Sequence, residues 1–541
     1  MFQERCLVIP ALKKHAVIPD QLVKKLQGTT LIARALATAR SVCQAQDIYV
    51  LTDSQEISLI CSRHQVNYRY NQGLRFTSLD IVAEMRELLQ ELAQTYTHCI
   101  IYRASCPLMT WVDIEAAYKS YRKAQVDSLI TVKEVQQRIW NMQEDNLLQL
   151  FEERNNSLVV ESRALIILRL SLLATWGQAS KHISIMPYFL AEHGIEIQGY
   201  QDWWICERLL ARRQVVFVVA GYPAIGMGHV FRALMLAHEI TDHQITFVCT
   251  RESELAVENI ARKDYPLVRQ GQEALATTVL KLKPDLVVND FLNTPEDYMQ
   301  ELIAAGSKCV NFEDDGPGAK LANLVINALY EDCPSTTQLR MGPSYFCLRD
   351  EFLEARRNSL RPEVRTLLIT FGGTDQYDCS RRVLDIVEPI CRAYGIAIRL
   401  VVGPGYAHLS AMTQHLQELA NPLVHFTYAT NVMSQMMEGC DLAICSAGRT
   451  VYELCHMRIP ALVLAHHERE ARHTFARPKH GFTFVGLMQQ VSDQKIRNVF
   501  LAMLKQERRA RFWQRQNALD FSKNKSRVIQ LLLKLLARDS S

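Results

Sequence analysis

Apolar, β-branched runs alternate with amphipathic stretches along most of the chain. Residues 215–219 (VVFVV) carry no polar alternation, the pattern of a strand buried on both faces of a parallel sheet. They run into Gly221, Gly226 and Gly228, and then into 231–237, where good helix formers present an apolar face. Strand, glycine loop, helix is an arrangement that offers backbone N–H groups to a phosphate or carboxylate. The same alternation predicts strands at 244–250, 285–288, 308–312 and 324–327, with helices at 252–261 and 296–305. A second series follows. A strand at 366–370 enters Phe371-Gly372-Gly373-Thr374-Asp375, and strands at 396–402, 423–426, 441–445 and 460–464 come after it, with a helix at 451–456. Two such series predict two Rossmann-like lobes, each with glycine loops at the carboxyl ends of its strands.

The first two hundred residues read as a separate α/β unit. Strands are predicted at 6–10, 48–51, 98–102 and 128–132, and helices at 31–42, 79–96 and 112–124, giving a mostly parallel sheet with helices on both faces. The basic cluster at 208–214 suits the C-terminal end of a helix and marks a boundary. The expected domains are 1–210, 214–360 and 361–541. The tail at 505–538 is basic and helical, with Val528, Leu531, Leu532, Leu535 and Leu536 on one side. It is expected to close across the lobes rather than lie on a membrane surface.

Composition narrows the class. The 48% hydrophobic and 22% charged residues describe globular material with large cores, and a net charge of +4 is small for 541 residues. No nucleic-acid partner is expected. No apolar run reaches 18 residues, so no transmembrane segment is predicted. The cysteines form no C-x-x-C pair, and Cys249, Cys309, Cys445 and Cys455 lie within apolar runs. They read as core residues of a reducing, cytoplasmic protein. His466, His467, His473 and His480 lack paired ligand spacing, so no metal is expected there.

His229 stands beside the last glycine of the first loop, with Arg232 one turn on: a base and a cation beside an anion-ready loop. Asp290 ends a neighbouring strand, where open α/β sheets place ligand residues. It reads either as a helix cap or as part of the acid–base chemistry. Glu313, Asp314 and Asp315 read as turn and structural residues.

Ile9-Pro10-Ala11, Ile18-Pro19, Gly28, Leu31-Ile32, Thr52-Asp53-Ser54, Cys106-Pro107-Leu108 and Asp113-Ile114 occur in an order that resembles the acylneuraminate cytidylyltransferases and related spore-coat polysaccharide proteins. The resemblance implies a nucleotidyltransferase-like (GT-A-like) sheet with a remnant site at Lys13, Lys14, Asp53 and Arg103. That family has a glycine-rich basic loop after the first strand, whereas residues 12–17 contain no glycine. Ser105 stands where the spore-coat type has an aspartate, and Glu196-Ile197-Gln198 replaces a pair of aspartates. With phosphate cradle and metal carboxylates both altered, the unit is expected to be degenerate, and Mg²⁺ is implied only if it is active.

Gly226-x-Gly228-His229-x-x-Arg232, Asn289-Asp290, Asn311-Phe312-Glu313-Asp314, Leu348-Arg349-x-Glu351-Phe352, Phe371-Gly372-Gly373-Thr374-Asp375 and Ser446-Ala447-Gly448-x-Thr450-x-x-Glu453 carry a second resemblance. It covers nearly all of 214–535 and points to the two-lobed GT-B-like group of the pseudaminic-acid-pathway UDP-sugar hydrolase and the spore-coat predicted glycosyltransferases. It implies that Gly448 and Thr450 bind the diphosphate, Glu453 the ribose, and Gly372 and Gly373 the sugar or phosphate. Gly226, Gly228 and Arg232 would line the facing wall. His229, with Asp290, would take a proton from water or an acceptor hydroxyl attacking the anomeric carbon, without a cofactor. Arg449 replaces a glycine, and His467-Glu468 replaces an Asn-Gln pair that holds the sugar or reacting water. Lys525 and Arg527 lie near a ligand-facing segment of that group.

The expected protein is a fusion for surface-glycan biosynthesis of nonulosonic, sialic-like sugars. It takes a nucleotide sugar, UDP- or CMP-linked, and hydrolyses or transfers it in its C-terminal unit. The alternatives are a glycosyltransferase acting on a protein or lipid, an active CMP-sugar synthetase fusion, and a non-catalytic scaffold for other glycan-pathway enzymes.

Overall fold

The computed structural model describes residues 3–13, 17–76, 80–134, 140–142, 148–150, 159–176, 183–222, 225–331 and 334–537. The chain divides into two compact units, with the boundary between Arg212 and Arg213.

The first unit is built on a seven-stranded sheet. Its spatial order is Ile185–Phe189, Ser128–Glu134, Val159–Arg169, Tyr96–Tyr102, Gln3–Ala11, Ile48–Thr52, Asn67–Tyr70. All neighbours are parallel except Val159–Arg169, which runs antiparallel to both its partners. That strand has a register shift between Glu161 and Ile166, with Arg163 at φ 59°, so its charged positions hide the alternation that would have announced it. The helix expected over 79–96 is two short ones, Ile81–Glu84 and Arg86–Leu92. The break at Met85 keeps Ile81, Val82, Leu88, Leu89 and Leu92 in one core cluster, and Tyr96 already belongs to the next strand. Thr110 and Asp113 form a capping box at the start of Trp111–Ala124.

The second unit holds two wholly parallel sheets. The first has the order Leu267–Arg269, Gln244–Cys249, Gln214–Val219, Leu286–Asp290, Lys308–Phe312, Leu324–Asn327, Leu339–Met341. The second runs Val424–Tyr428, Ala397–Val402, Thr366–Thr370, Leu442–Ser446, Ala461–Ala465, Phe482–Leu487. In each, the first strand of the series lies in the middle and the chain winds out to one edge before returning to the other side. The fold is therefore a GT-A-like α/β unit followed by a two-lobed, GT-B-like pair of Rossmann sheets. The point where winding reverses leaves a crevice at the strands' carboxyl ends. In the first lobe it lies between Gln214–Val219 and Leu286–Asp290; in the second, between Thr366–Thr370 and Leu442–Ser446.

The tail forms helices Asp493–Met503, Gln506–Asn517 and Asn524–Leu536. Val528, Leu532 and Leu536 of the last helix enter the core of the first lobe beside Val215, Phe217 and Leu236. Each such aliphatic side chain contributes about 1.5–3 kcal/mol on burial, an upper range for an extended unfolded reference. Lys525 pairs with Glu239 and Asp350 at 2.5 Å each, and Arg527 donates to Ser344 O at 2.6 Å. Both are thus engaged in holding this helix. Among the described residues no helix is long and apolar enough to cross a membrane.

Candidate functional site

Gly221 leaves the first strand of the first lobe tightly: a Cβ there would meet Val230 Cγ2 at 2.7 Å, so only glycine lets the loop and the helix pack. Gly226, at φ 78°, then turns the chain into the helix Gly228–Glu239. His229 and Arg232 lie three residues apart on that helix and so share a face. Both are buried and meet Asp290, the last residue of the adjacent strand, whose register partner is Val219.

The contacts form a closed set. His229 Nδ1 lies 2.6 Å from Asp290 Oδ1. Arg232 donates from Nε to Asp290 Oδ2 at 2.7 Å and from Nη2 to Asp290 Oδ1 at 2.5 Å, a bidentate pair. Its Nη1 donates to Glu313, which directly follows the strand Lys308–Phe312, and its guanidinium lies 4.8 Å from the Phe312 ring centroid. Burial opposes the charge of Asp290, but Arg232 and then His229 outweigh it, so the carboxyl sits below its ordinary range. Glu313 is held down in the same way, burial being outweighed by Arg232, Arg449 and His229. For Arg232 burial favours the neutral form, and the two carboxylates overcome this and raise its pKa. An ionised Asp290 can only accept, so the proton of His229 lies on Nδ1. Among the described residues no hydrogen bond occupies Nε2.

Asp290 is therefore neither a helix cap nor a turn residue. Of the three acidic residues after Phe312, Asp314 is structural: it accepts from Thr294 N at 2.9 Å and Gly316 N at 2.8 Å. Glu313 corrects the structural reading of that run, because its side chain belongs to the His229 cluster. Its place at a strand's carboxyl end was the available signal, and adjacent turn residues masked it.

The second lobe contributes Arg449, whose Nη1 donates to Glu313 Oε1 at 3.3 Å. A Cβ on Gly228 would lie 2.8 Å from Arg449 Cδ, and one on Gly373 3.7 Å from Met227 Cβ, so the two glycine loops face each other. Gly372, at φ 86°, turns out of the strand Thr366–Thr370. Gly448 precedes the helix Thr450–His456, with Glu470 Oε1 3.3 Å from where its Cβ would be. Glu453 is not a free acceptor: Arg349 Nη2 donates to its Oε1 at 2.9 Å. His467 caps the helix Glu468–Ala471, its Nδ1 accepting from Glu470 N at 3.3 Å, and burial lowers its pKa. The histidine cluster is dispersed. His466 lies with Asp375 and Cys379, their donor atoms within 4.8 Å of one another, whereas His473 pairs with Ala447 O and His480 with Glu331. Asp375 spends both oxygens on the amides of Cys379 and Ser380, at 2.9 Å each, at the start of the helix Cys379–Tyr394.

In the first unit, Lys13 N donates to Asp53 Oδ1 at 2.7 Å, and Lys13 Nζ pairs with Glu56 at 2.9 Å and Asp20 at 3.2 Å. Arg103 donates to Glu196 Oε1 at 3.3 Å, and the Ser105 hydroxyl reaches the same oxygen at 3.3 Å. Lys14 lies outside the described residues.

No protein-family model matches the chain. It is 26% identical over 280 residues to an uncharacterized protein of Methanocaldococcus jannaschii, covering 47% of this chain and 56% of that one. The chain thus spans about half the length of that relative. The spore coat polysaccharide biosynthesis protein SpsG of Bacillus subtilis is 28% identical over 275 residues, 48% of this chain and 80% of its own. The pseudaminic acid cytidylyltransferase and UDP-2,4-diacetamido-2,4,6-trideoxy-beta-L-altropyranose hydrolase of Helicobacter pylori is 24% identical over 189 residues, 33% of this chain and 34% of its own. An 80-residue stretch, 15% of this chain, is 31% identical to the 3-deoxy-manno-octulosonate cytidylyltransferase of Koribacter versatilis, 30% of whose length it covers. The chain is accordingly a fusion of a cytidylyltransferase-like domain with a domain similar to the spore-coat polysaccharide protein, and it shares a stretch with the two-activity Helicobacter pylori protein.

Proposed function

We propose that the protein is an enzyme of glycan biosynthesis whose second unit binds a nucleotide sugar and cleaves it at the anomeric carbon. One observation carries this reading: an imidazole held at Nδ1 by a carboxylate, itself clamped by a buried arginine, with Nε2 unengaged at the reversal point of a parallel sheet. A base oriented by a second group is the arrangement that proton abstraction requires. His229 Nε2 takes the proton from water or an acceptor hydroxyl, and Asp290 stabilises the imidazolium that forms. The facing glycine loops of the second lobe, Gly372-Gly373 and Gly448-Arg449-Thr450, receive the nucleotide diphosphate, and UDP is the nucleotide of the hydrolase relative's substrate. The sugar is of the nonulosonic route.

The first unit is read as a binding or scaffolding domain. Its donor set does not fit Mg²⁺: Glu196 is taken by Arg103 and Ser105, and Ser105 brings a hydroxyl where a carboxylate is needed.

The test is release of UDP from a UDP-linked N-acetyl sugar, with and without added glycan acceptor. Release without acceptor identifies hydrolysis, and release that needs acceptor identifies transfer. In either case His229→Ala loses the activity while retaining UDP binding. A chain that binds UDP but turns over no donor would be the non-catalytic scaffold and would end this reading.

A further inference from the structure

Arg449 lies between Gly448 and the helix Thr450–His456, and the structure invests heavily in holding it. Its guanidinium lies 4.7 Å from the centroid of Phe346. Phe346 stacks on Tyr452 at 3.9 Å with 3° between planes, Tyr452 on Phe475 at 3.9 Å and 11°, and Phe475 on His480 at 4.4 Å and 19°. His480 is anchored on Glu331 at 3.0 Å, and the Tyr452 hydroxyl donates to Ala328 O at 2.6 Å. The stem of Arg449 is seated against Gly228, where any β-carbon would intrude at 2.8 Å. A long, flexible side chain is thus fixed before any ligand arrives, which reduces the entropy lost when it makes a contact.

What it is fixed for follows from its partners. Its one hydrogen bond among the described residues is the 3.3 Å contact to Glu313. That carboxylate already has a closer partner in Arg232. Asp290 is likewise consumed by Arg232 and His229. Burial and the neighbouring Arg232 both work against the charge of Arg449, and Glu313 and Asp290 do not fully offset them. The side chain nevertheless keeps about a fifth of its surface open, 21%. A rigid cation that is under-compensated by the protein and open on one side is built to receive an anion.

We infer that Arg449 binds the anionic oxygens of the ligand, the diphosphate of the nucleotide sugar, through its guanidinium. The inference rests on the proposed nucleotide-sugar reading for the identity of the anion, though not for the existence of the anion site. On binding, the guanidinium exchanges its long contact with Glu313 for the phosphate oxygens, and Glu313 remains with Arg232. Gly228 makes room for an arginine from the other lobe.

Isothermal titration of the full chain, wild type against Arg449→Met and Arg449→Gln, tests this with UDP, uridine and inorganic pyrophosphate as probes. UDP affinity is expected to fall by about tenfold or more in both variants, the worth of a charge-assisted contact, while uridine affinity stays unchanged. Equal melting temperatures of the ligand-free proteins establish that the fold is retained, and Arg449→Lys should recover part of the loss. Wild-type UDP affinity in both neutral variants, or an equal loss for UDP and uridine, would overturn the inference. If the wild type binds no UDP but pyrophosphate stabilises it and not the variants, the anion site stands and the nucleotide reading falls. If neither probe binds the wild type, both fall.

Discussion

The strand ends of the two units in this chain both gather paired charges and use them differently. In the first unit, Lys13 and Arg103 meet Asp53, Glu56 and Glu196; in the second, His229 and Arg232 meet Asp290 and Glu313. The Lys13 pairs are solvent-facing, with Glu56 and Asp20 side chains 55% and 61% exposed. Pairs of that kind are worth about 0–1 kcal/mol and leave no group poised. Around Asp290 the exposures are 1% for the aspartate and 3% for Arg232, so every charge must be matched and every orientation is fixed. Full pairing there still leaves Nε2 of His229 without a hydrogen bond among the described residues. The Lys13 pairs thus differ from the Asp290 cluster in burial, and only the latter includes an imidazole.

Mutations at the two places should therefore differ in scale. Arg232→Met is expected to have the largest effect on stability. It strands Asp290 and Glu313 as buried carboxylates and should cost about 3–5 kcal/mol, read as a lower denaturation midpoint of the second unit. The same pair sets the acid response. Asp290 and Glu313 both have depressed pKa values, so their contribution is present above the ordinary carboxylate values of 3.8 and 4.5 and is lost as pH falls below them. The melting temperature of the second unit should drop on acidification past that range, and Arg232→Met should flatten the drop. A melting curve indifferent to pH 3 would show that the grid contributes nothing.

A smaller effect is expected at Gly403. A Cβ there would lie 2.4 Å from Gly373 Cα, a backbone neighbour that can yield only by moving the glycine loop. Gly403→Ala should cost about 1–3 kcal/mol and weaken UDP binding by displacing Gly372-Gly373. Unchanged UDP affinity in a destabilised variant would detach that loop from the site. Lys13→Ala, at the other end of the scale, should change stability by under about 1 kcal/mol and leave UDP-sugar turnover as in the wild type.

Much of the fold was legible because its signals are local. Residues 308–312, 324–327 and 366–370 are strands to the residue, the first running into the acidic Glu313-Asp314 and the last into Phe371-Gly372-Gly373. The pairing of His229 with Asp290 was within reach, since each sits where a central strand or its following helix meets the crevice. Glu313 was not, because its partners Arg232 and Arg449 lie 81 and 136 residues away and depend on how two lobes fold against each other. The stack that holds Arg449 has the same origin: Phe346, Tyr452, Phe475 and His480 share no periodicity along the chain. In the first unit the antiparallel strand Val159–Arg169 was missed, because its register shift and the charged residues Glu161, Arg163 and Arg169 break the alternation.

The comparison between the two strand ends is most directly tested in one tube. The full chain is incubated with CTP, Mg²⁺, a nonulosonic acid and a UDP-linked N-acetyl sugar, with a glycan acceptor added, and followed by phosphorus NMR. The account predicts that UDP appears while CTP persists, and that His229→Ala suppresses the UDP signal by about 10²–10⁴-fold, the usual contribution of a general base. Pyrophosphate growing at the expense of CTP while the UDP-sugar remains intact would contradict it.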